Sequence, residues 1–268
     1  MRITRFIDEN GTVQHGIAQQ DGTAQLLKGD IQTGFMRQDE QRQISRILAP
    51  LTPVNIFCIG LNYREHAQET GAPIPDTPVV FMKPTTAVNH HQAEILLPAA
   101  CNHGPEVDYE AELCVIIGKT ARNVAQSDAL DYVFGYTCAN DVSARRWQKH
   151  GGGGQWIRGK SFDSFCPLGP VMVTADEIPD PQTLRVRSQL NGAVMQDGNT
   201  SDMIFPIASL IHHLSQDLTL LPGTVILTGT PSGVGFARNP QVFLAEGDEI
   251  SVEIDVIGKL QNRVVNAV

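Results

Sequence analysis

No two of the five cysteines (58, 101, 114, 138 and 166) form a Cys-x-x-Cys pair, and their number is odd. A disulfide framework and a thiolate zinc site are therefore excluded as organising features. The role left to these residues is that of small buried hydrophobes. Long apolar runs are missing too: nothing approaches the roughly 20 residues needed to span a bilayer. The N-terminal MRITRFIDENGTV has early charge but no apolar core, so no secretory signal is read and a cytoplasmic protein is expected. Clusters of Lys and Arg are also absent. With 20 basic against 29 acidic residues the formal net charge is -9, which argues against a nucleic-acid backbone or an anionic membrane as partner. An acidic chain still binds an anionic metabolite where a cation and a few local basic side chains act together.

What is present is ordinary globular material rich in turns. The 268 residues, 41% hydrophobic with 24 glycines and 16 prolines, suffice for one large domain or a domain with a small appendage. Residues 1–52 read as a small β-rich N-terminal domain. Its pieces Met1–Ile7, Thr12–Ala18 and Ala24–Leu27 are divided by Asn10-Gly11 and Asp21-Gly22, both good hairpin turns. The polar stretch Arg37 to Ser45 leads to Pro50 and Pro53, which mark a junction. Residues 53–268 form the second domain, and strands dominate it: Val54–Ile59, Val79–Met82, Glu112–Ile117, Val171–Thr174, Thr224–Leu227 and Glu249–Val256. In the last, Ile250, Val252, Ile254 and Val256 alternate with polar residues. Helices are few. Asn62–Thr70 opens like a capping box, with Glu65 three residues after Asn62, and Ser127–Tyr132 and Ile204–Leu214 are the other helical segments. There is no βαβ rhythm, so a strand-dominated α+β architecture follows.

Four local patterns carry chemistry. In V-D-Y-E-A-E-L-C-V-I-I-G-K (107–119) the period of two puts Glu110 and Glu112 on one face with Cys114 and Ile116, and Ala111, Leu113 and Val115 on the other. Two carboxylates at the edge of a core need compensation. A hard divalent cation with oxygen ligands supplies it, whereas a strand end in solvent would need none; the Glu-x-Glu spacing alone leaves both open. Asp141 follows an apolar segment in F-G-Y-T-C-A-N-D-V-S-A-R (134–145). On a helix Arg145 and Gln148 would share its face, suiting either a site for a cation and an anion or a simple intrahelical ion pair. His66 and Glu69, three apart, can touch; a carboxylate beside an imidazole fixes its tautomer and raises its basicity. Finally, T-G-T-P-S-G-V-G (228–235) follows an apolar strand and lets backbone N–H groups approach an anion, or it is a sharp turn; no Gly-Lys-Ser/Thr makes it a P-loop. Gly151–Gly154 reads as a flexible segment able to order over a ligand.

Taken in order, several segments resemble the fumarylacetoacetate hydrolase family over roughly Val54 to Val268. They are G-L-N-Y-R-E-H (60–66), F-M-K-P (81–84), D-Y-E-A-E-L (108–113), G-Y-T-C-A-N-D-V-S-A-R (135–145) and Q-W-I-R-G-K-S-F-D-S-F-C-P-L-G-P (155–170). Q-D-G-N-T-S-D-M-I-F (196–205), T-G-T-P-S-G-V-G (228–235) and E-G-D-E-I-S-V-E-I (246–254) complete the series. The resemblance implies a mixed β-sandwich roll with a small N-terminal domain, as a homodimer. It implies Mg2+ or Mn2+ on Glu110, Glu112 and Asp141, with no further acid before His66, as in the shorter members. It implies that His66 and Glu69 form a water-activating dyad on a lid, and that Arg145, Gln148, Lys160 and Thr230 meet the carboxylate and oxo groups of a small oxo-carboxylate substrate.

The chemistry expected first is hydrolysis of a carbon–carbon bond in an acylpyruvate-like 1,3-dicarbonyl acid, with Lys160 and the cation stabilising the enolate that leaves. The alternatives on the same site are decarboxylation or tautomerisation of oxaloacetate and isomerisation of an unsaturated oxo-diacid. A catalytically silent homologue is the alternative of a different class.

Overall fold

A computed structural model describes residues 1–267. The chain opens with four antiparallel strands, β1 (Arg2–Asp8), β2 (Val13–Ala18), β3 (Thr23–Asp30) and β4 (Gly34–Ile47), in the order β2-β3-β4-β1. The turns at Asn10-Gly11 and Asp21-Gly22 fall where the sequence puts them, with both glycines at positive φ. The polar stretch Arg37 to Ser45, read as an approach to a junction, is instead the middle of β4. Its side chains are mostly solvated, so no apolar alternation marks it. It is a strand because its backbone pairs with β3 on one side and β1 on the other.

The remaining strands follow in chain order as β5 (Ile56–Gly60), β6 (Val79–Met82), β7 (Val88–Asn89), β8 (Glu94–Leu97), β9 (Val107–Asp108) and β10 (Ala111–Ile117). Then come β11 (Val133–Asn140), β12 (Ser143–Ala144), β13 (Cys166–Thr174), β14 (Arg185–Leu190), β15 (Ala193–Asn199), β16 (Val225–Leu227), β17 (Glu249–Ile254) and β18 (Gly258–Asn266). Among the described residues three short α-helices intervene: α1 (Arg64–Thr70), α2 (Arg145–Lys149) and α3 (Ile207–Leu214). Among the described residues no helix is long and apolar enough to cross a membrane.

The large sheet runs β2-β3-β4-β1-β13-β11-β10-β16-β5-β6, so β1 joins the N-terminal strands to the rest through Arg2↔Val173 and Ile3↔Met172. A second sheet has the order β15-β14-β17-β18-β8. Most pairings are antiparallel, while β16–β5, β13–β7 and β18–β8 are parallel. This is the strand-dominated α+β fold with mixed sheets that the sequence predicts. Leu113, Val115 and Ile117 of β10 pack with Val252 and Ile254 of β17 in the core between the sheets, whereas Cys114 and Ile116 face a separate core shared with Ile3 and Ile56. Each fully buried Leu, Ile or Val is worth about 1.5–3 kcal/mol over its exposed state. A one-residue slip of β10 would turn Glu112 into the inter-sheet core, so its register is firmly set. Four cysteines are buried and unpaired; Cys101 is half-buried.

Two helix assignments change. Asn62 does not cap α1. Its Nδ2 donates to the carbonyls of Phe205 and Thr228, and its Oδ1 accepts from Phe205 N–H; the Glu65 N–H is instead capped by Asp202 from far along the chain. Ser127–Tyr132 is a 3-10 turn over Gln126–Tyr132 with the Ser127 hydroxyl bonded to Asp128. The third helix survives but starts later, at Ile207 behind Pro206, because the residue before a proline is disfavoured in the helical region, which keeps Phe205 out of the helix.

Candidate active site

Glu110 immediately precedes β10 and Glu112 is its second residue, paired with Ala139 of β11. Where β11 ends, the chain doubles back onto the acids: Glu110 N–H donates to Asn140 Oδ1 at 3.0 Å, and Asp141 N–H donates to the Glu110 carbonyl at 2.9 Å. These two bonds clip Asp141 beside Glu110. Carboxylate oxygens of Glu110, Glu112 and Asp141 lie within 4.8 Å of one another, and all three residues are buried. The solvated strand end that the Glu-x-Glu spacing left open is thereby ruled out.

Three buried cations answer two of these acids. Lys160 Nζ bridges Glu110 Oε2 at 2.7 Å and Asp141 Oδ2 at 2.8 Å. Lys83 Nζ pairs with Asp141 Oδ1 at 2.7 Å and donates to the carbonyls of Val142, Lys160 and Phe165. Arg145 pairs with Glu110 Oε1 and with Asp108, each at 2.7 Å. Burial alone would raise the Glu110 pKa, but Lys160 and Arg145 outweigh it and hold it at about 2. The same acids keep Lys160 above its ordinary value against the effect of burial.

Glu112 is different. It has no ion pair among the described residues and accepts one hydrogen bond, from Gly229 N–H at 2.8 Å. Burial first, then the charges of Asp141 and Glu110, push its carboxyl well above the usual range. A buried carboxylate without a countercharge is expensive. Three convergent carboxylates, hard oxygen donors with one of them lacking a cationic partner, fit a hard divalent ion such as Mg2+ or Mn2+.

A cavity of about 280 Å³ opens onto this cluster, lined by His66, Glu110, Glu112, Arg145, Gln148 and Lys160 and walled by Phe81, Trp156 and Phe236. His66, on α1, is buried; its Nδ1 lies 2.6 Å from Glu69 Oε1, which leaves Nε2 as the ring nitrogen free for the cavity. Glu69 is fixed in turn by Gly233 N–H at 2.8 Å. The glycine-rich loop does approach anions, as its composition predicts, but they are the protein's own. Gly229 serves Glu112, Gly233 serves Glu69, and the N–H groups of Gly235 and Phe236 serve Asp108 at 2.8 and 2.9 Å. Gly229 sits at φ +96°, and a Cβ there would meet the Asn62 Cβ at 2.7 Å, so this carboxylate-binding turn needs glycine.

The nine residues singled out in the sequence, from His66 to Thr230, fall at or beside one cavity, but not always by the route expected. Asp141 does not share a helix with Arg145 and Gln148. Ser143–Ala144 pairs with β9 between them, and α2 begins only at Arg145. Arg145 and Gln148 are nevertheless both buried on α2 and bonded to each other at 3.1 Å, and the acids Arg145 meets are Glu110 and Asp108. The Thr230 hydroxyl is engaged with the Ala111 carbonyl at 2.9 Å and with Gln196 at 2.6 Å. Gly151–Gly154 forms a turn that leads to Trp156, whose ring packs on Phe81 at 5.6 Å.

Three side chains that sequence reasoning left without a role complete the network. Asp108 holds Arg145, Lys83 holds Asp141, and Gln196 holds Thr230 and the Ala111 N–H. A signal existed for two of them. Asp108 extends the period-two series of Glu110 and Glu112, and Lys83 ends an apolar strand where a solvated lysine would be out of place.

Residues 55–265 match the family described as fumarylacetoacetate (FAA) hydrolase C-terminal. The human mitochondrial oxaloacetate tautomerase FAHD2A is 46% identical over 219 residues, covering 81% of this chain and 69% of its own. Among solved structures, the 5-carboxymethyl-2-hydroxymuconate delta-isomerase of Mycobacterium smegmatis superposes with a TM-score of 0.86 at 35% identity, over 100% of both chains. The 2-hydroxyhepta-2,4-diene-1,7-dioate isomerase of Mycobacterium marinum gives 0.84 at 36%, over 99% of this chain and 98% of its own. With the ordered motifs, the mixed-sheet fold and these matches in agreement, the chain belongs to the fumarylacetoacetate hydrolase family.

Proposed function

We propose that the protein is a divalent-metal-dependent enzyme that interconverts the keto and enol forms of a small 2-oxo diacid, with oxaloacetate as the first substrate to try. The observation that carries this reading is the pairing of functions across one cavity. On one side is a buried carboxylate trio whose Glu112 lacks a countercharge. On the other is an imidazole oriented by a carboxylate. An enolisation needs a base beside the carbon that loses its proton and positive charge beside the oxygen that gains electron density. The printed activities of the relatives, a tautomerase and two isomerases, are of this proton-moving kind.

In this reading Glu110, Glu112 and Asp141 hold Mg2+ or Mn2+. A bound cation of that kind would stabilise negative charge on the substrate's 2-oxo oxygen. His66 Nε2 takes a proton from C3 of oxaloacetate while Glu69 fixes the ring through Nδ1. The Lys160 ammonium adds positive charge beside the acids, Arg145 and Gln148 orient the 2-oxo acid end, and return of the proton to oxygen completes the enol. Phe81, Trp156 and Phe236 keep the cavity wall apolar, which strengthens every charge interaction within it.

A second reading, hydrolysis of an acylpyruvate, is favoured by the same His66–Glu69 pair, since a base that removes a proton from carbon is also able to activate water. One assay separates the two. With Mg2+ present, loss of enol absorbance from oxaloacetate without pyruvate formation supports the tautomerase reading. Pyruvate released from acetylpyruvate supports the hydrolase, and pyruvate from oxaloacetate a decarboxylase. Enol loss no faster than the uncatalysed rate would refute the tautomerase.

A further inference from the structure

The cations of the site are nearly all spent on the protein's own acids. Lys160 bridges Glu110 and Asp141, Lys83 serves Asp141, and Arg145 is shared between Asp108 and Glu110. With all four buried acids (Asp108, Glu110, Glu112, Asp141) ionised, as metal ligation requires of Glu112, they face three buried cations, leaving one net negative charge. A divalent ion would convert that to one net positive charge, enough for one substrate carboxylate. Among the described residues, one basic side chain lines the cavity without an acid partner. It is Lys149, at the C-terminal end of α2 and next in sequence to Gln148.

The position of Lys149 is built rather than incidental. Its Nζ stands over the Phe236 ring, 3.4 Å from the centroid, a cation–π contact that limits where a flexible ammonium goes. Phe236 is itself anchored, its N–H donating to Asp108 Oδ2 at 2.9 Å, and Asp108 also holds Arg145. One buried carboxylate thereby sets the spacing between Arg145 at the acidic floor and Lys149 farther out. Lys149 remains largely exposed, unlike Arg145 and Gln148 on the same helix, as befits a group that meets the outer end of a ligand.

We propose that Lys149 is the specificity determinant for a distal anionic group, so that the cavity selects oxo-diacids over mono-acids of the same length. This rests on the functional reading above only for the chelating end of the ligand; the charge preference at the outer end is a separate property. Calorimetry with Mg2+ present tests it with two unreactive acids, L-malate and 2-hydroxybutyrate. They share a hydroxy-acid end and differ in a distal carboxylate against a methyl. Wild-type protein binds malate about tenfold tighter or more, the size of one charge-assisted contact. Lys149→Met brings the ratio close to unity, and Lys149→Arg preserves it. An unchanged ratio in Lys149→Met, no preference in the wild type, or no binding of malate at all overturns the proposal. Failure of the wild type to turn over oxaloacetate while the Lys149-dependent ratio persists would instead sink the tautomerase reading alone.

Discussion

Asp108 is fully buried and does not line the cavity, yet it organises both ends of the site. It takes Arg145 Nε at 2.8 Å and a second guanidinium nitrogen at 2.7 Å. It also accepts the backbone N–H groups of Tyr109, Gly235 and Phe236 at 2.8, 2.8 and 2.9 Å. Asp108→Ala leaves a buried guanidinium with one of its two acids and strands three N–H donors. Removing one partner of a buried pair costs about 3–5 kcal/mol. At roughly 2–4 °C per kcal/mol for a chain near this size, the melting temperature falls by about 6–20 °C. Asp108→Asn keeps an acceptor and the shape but loses the charge, so it falls between the two. Calorimetric melts at pH 7 measure both, and a rise in KM should accompany them because Arg145 is freed to tilt. An Asp108→Ala protein melting within roughly 2 °C of wild type, less than 1 kcal/mol, would refute the view that this carboxylate frames the site.

Three further outcomes follow from the same geometry. An unfolded glutamate ionises near pH 4.3, while buried Glu112 keeps its proton to higher pH. The folded metal-free protein then binds more protons, and its stability falls as pH rises above about 4.3. Glu112→Gln abolishes that slope in melts run with EDTA from pH 4 to 8, and parallel curves for the two proteins would contradict it. Glu110, held at about 2, acts oppositely: its contribution is full above about pH 4.3 and is lost as pH falls toward 2. His66→Ala should lower kcat by roughly 10²–10⁴, the usual worth of a general base, with Glu69→Gln losing less; an unimpaired His66→Ala enzyme would remove the dyad from the mechanism. Gly60→Ala places a Cβ 2.2 Å from Trp156 Cζ3. Trp156 must leave the cavity wall, visible as altered tryptophan fluorescence and a raised KM, and an unchanged emission spectrum would tell against this wall.

Much of the site was legible because its chemistry sits on regular periods. Alternation along β10 gave the correct faces for Glu112, Leu113 and Cys114, since a strand has no freedom to break a period of two. The three-residue step from His66 to Glu69 likewise read correctly on α1. What the sequence hid was set by contacts distant along the chain. Asn62 looked like a cap, but its amide is spent on Phe205 and Thr228, a use no local pattern encodes. Arg145 looked like a helical partner of Asp141, but a short pairing of Ser143–Ala144 with β9 delays the helix and turns Arg145 toward Glu110 and Asp108. The strand β4 escaped notice because backbone pairing rather than burial holds it, so its side chains carry no apolar alternation.

In the proposed mechanism everything depends on Glu112, the acid without a countercharge, completing a divalent-cation site with Glu110 and Asp141. Titration of EDTA-stripped protein with Mn2+, followed by calorimetry, tests it most directly. Wild-type protein binds one Mn2+ per chain, and Glu112→Gln loses that binding while remaining folded by circular dichroism. Wild-type affinity for Mn2+ in folded Glu112→Gln would contradict it.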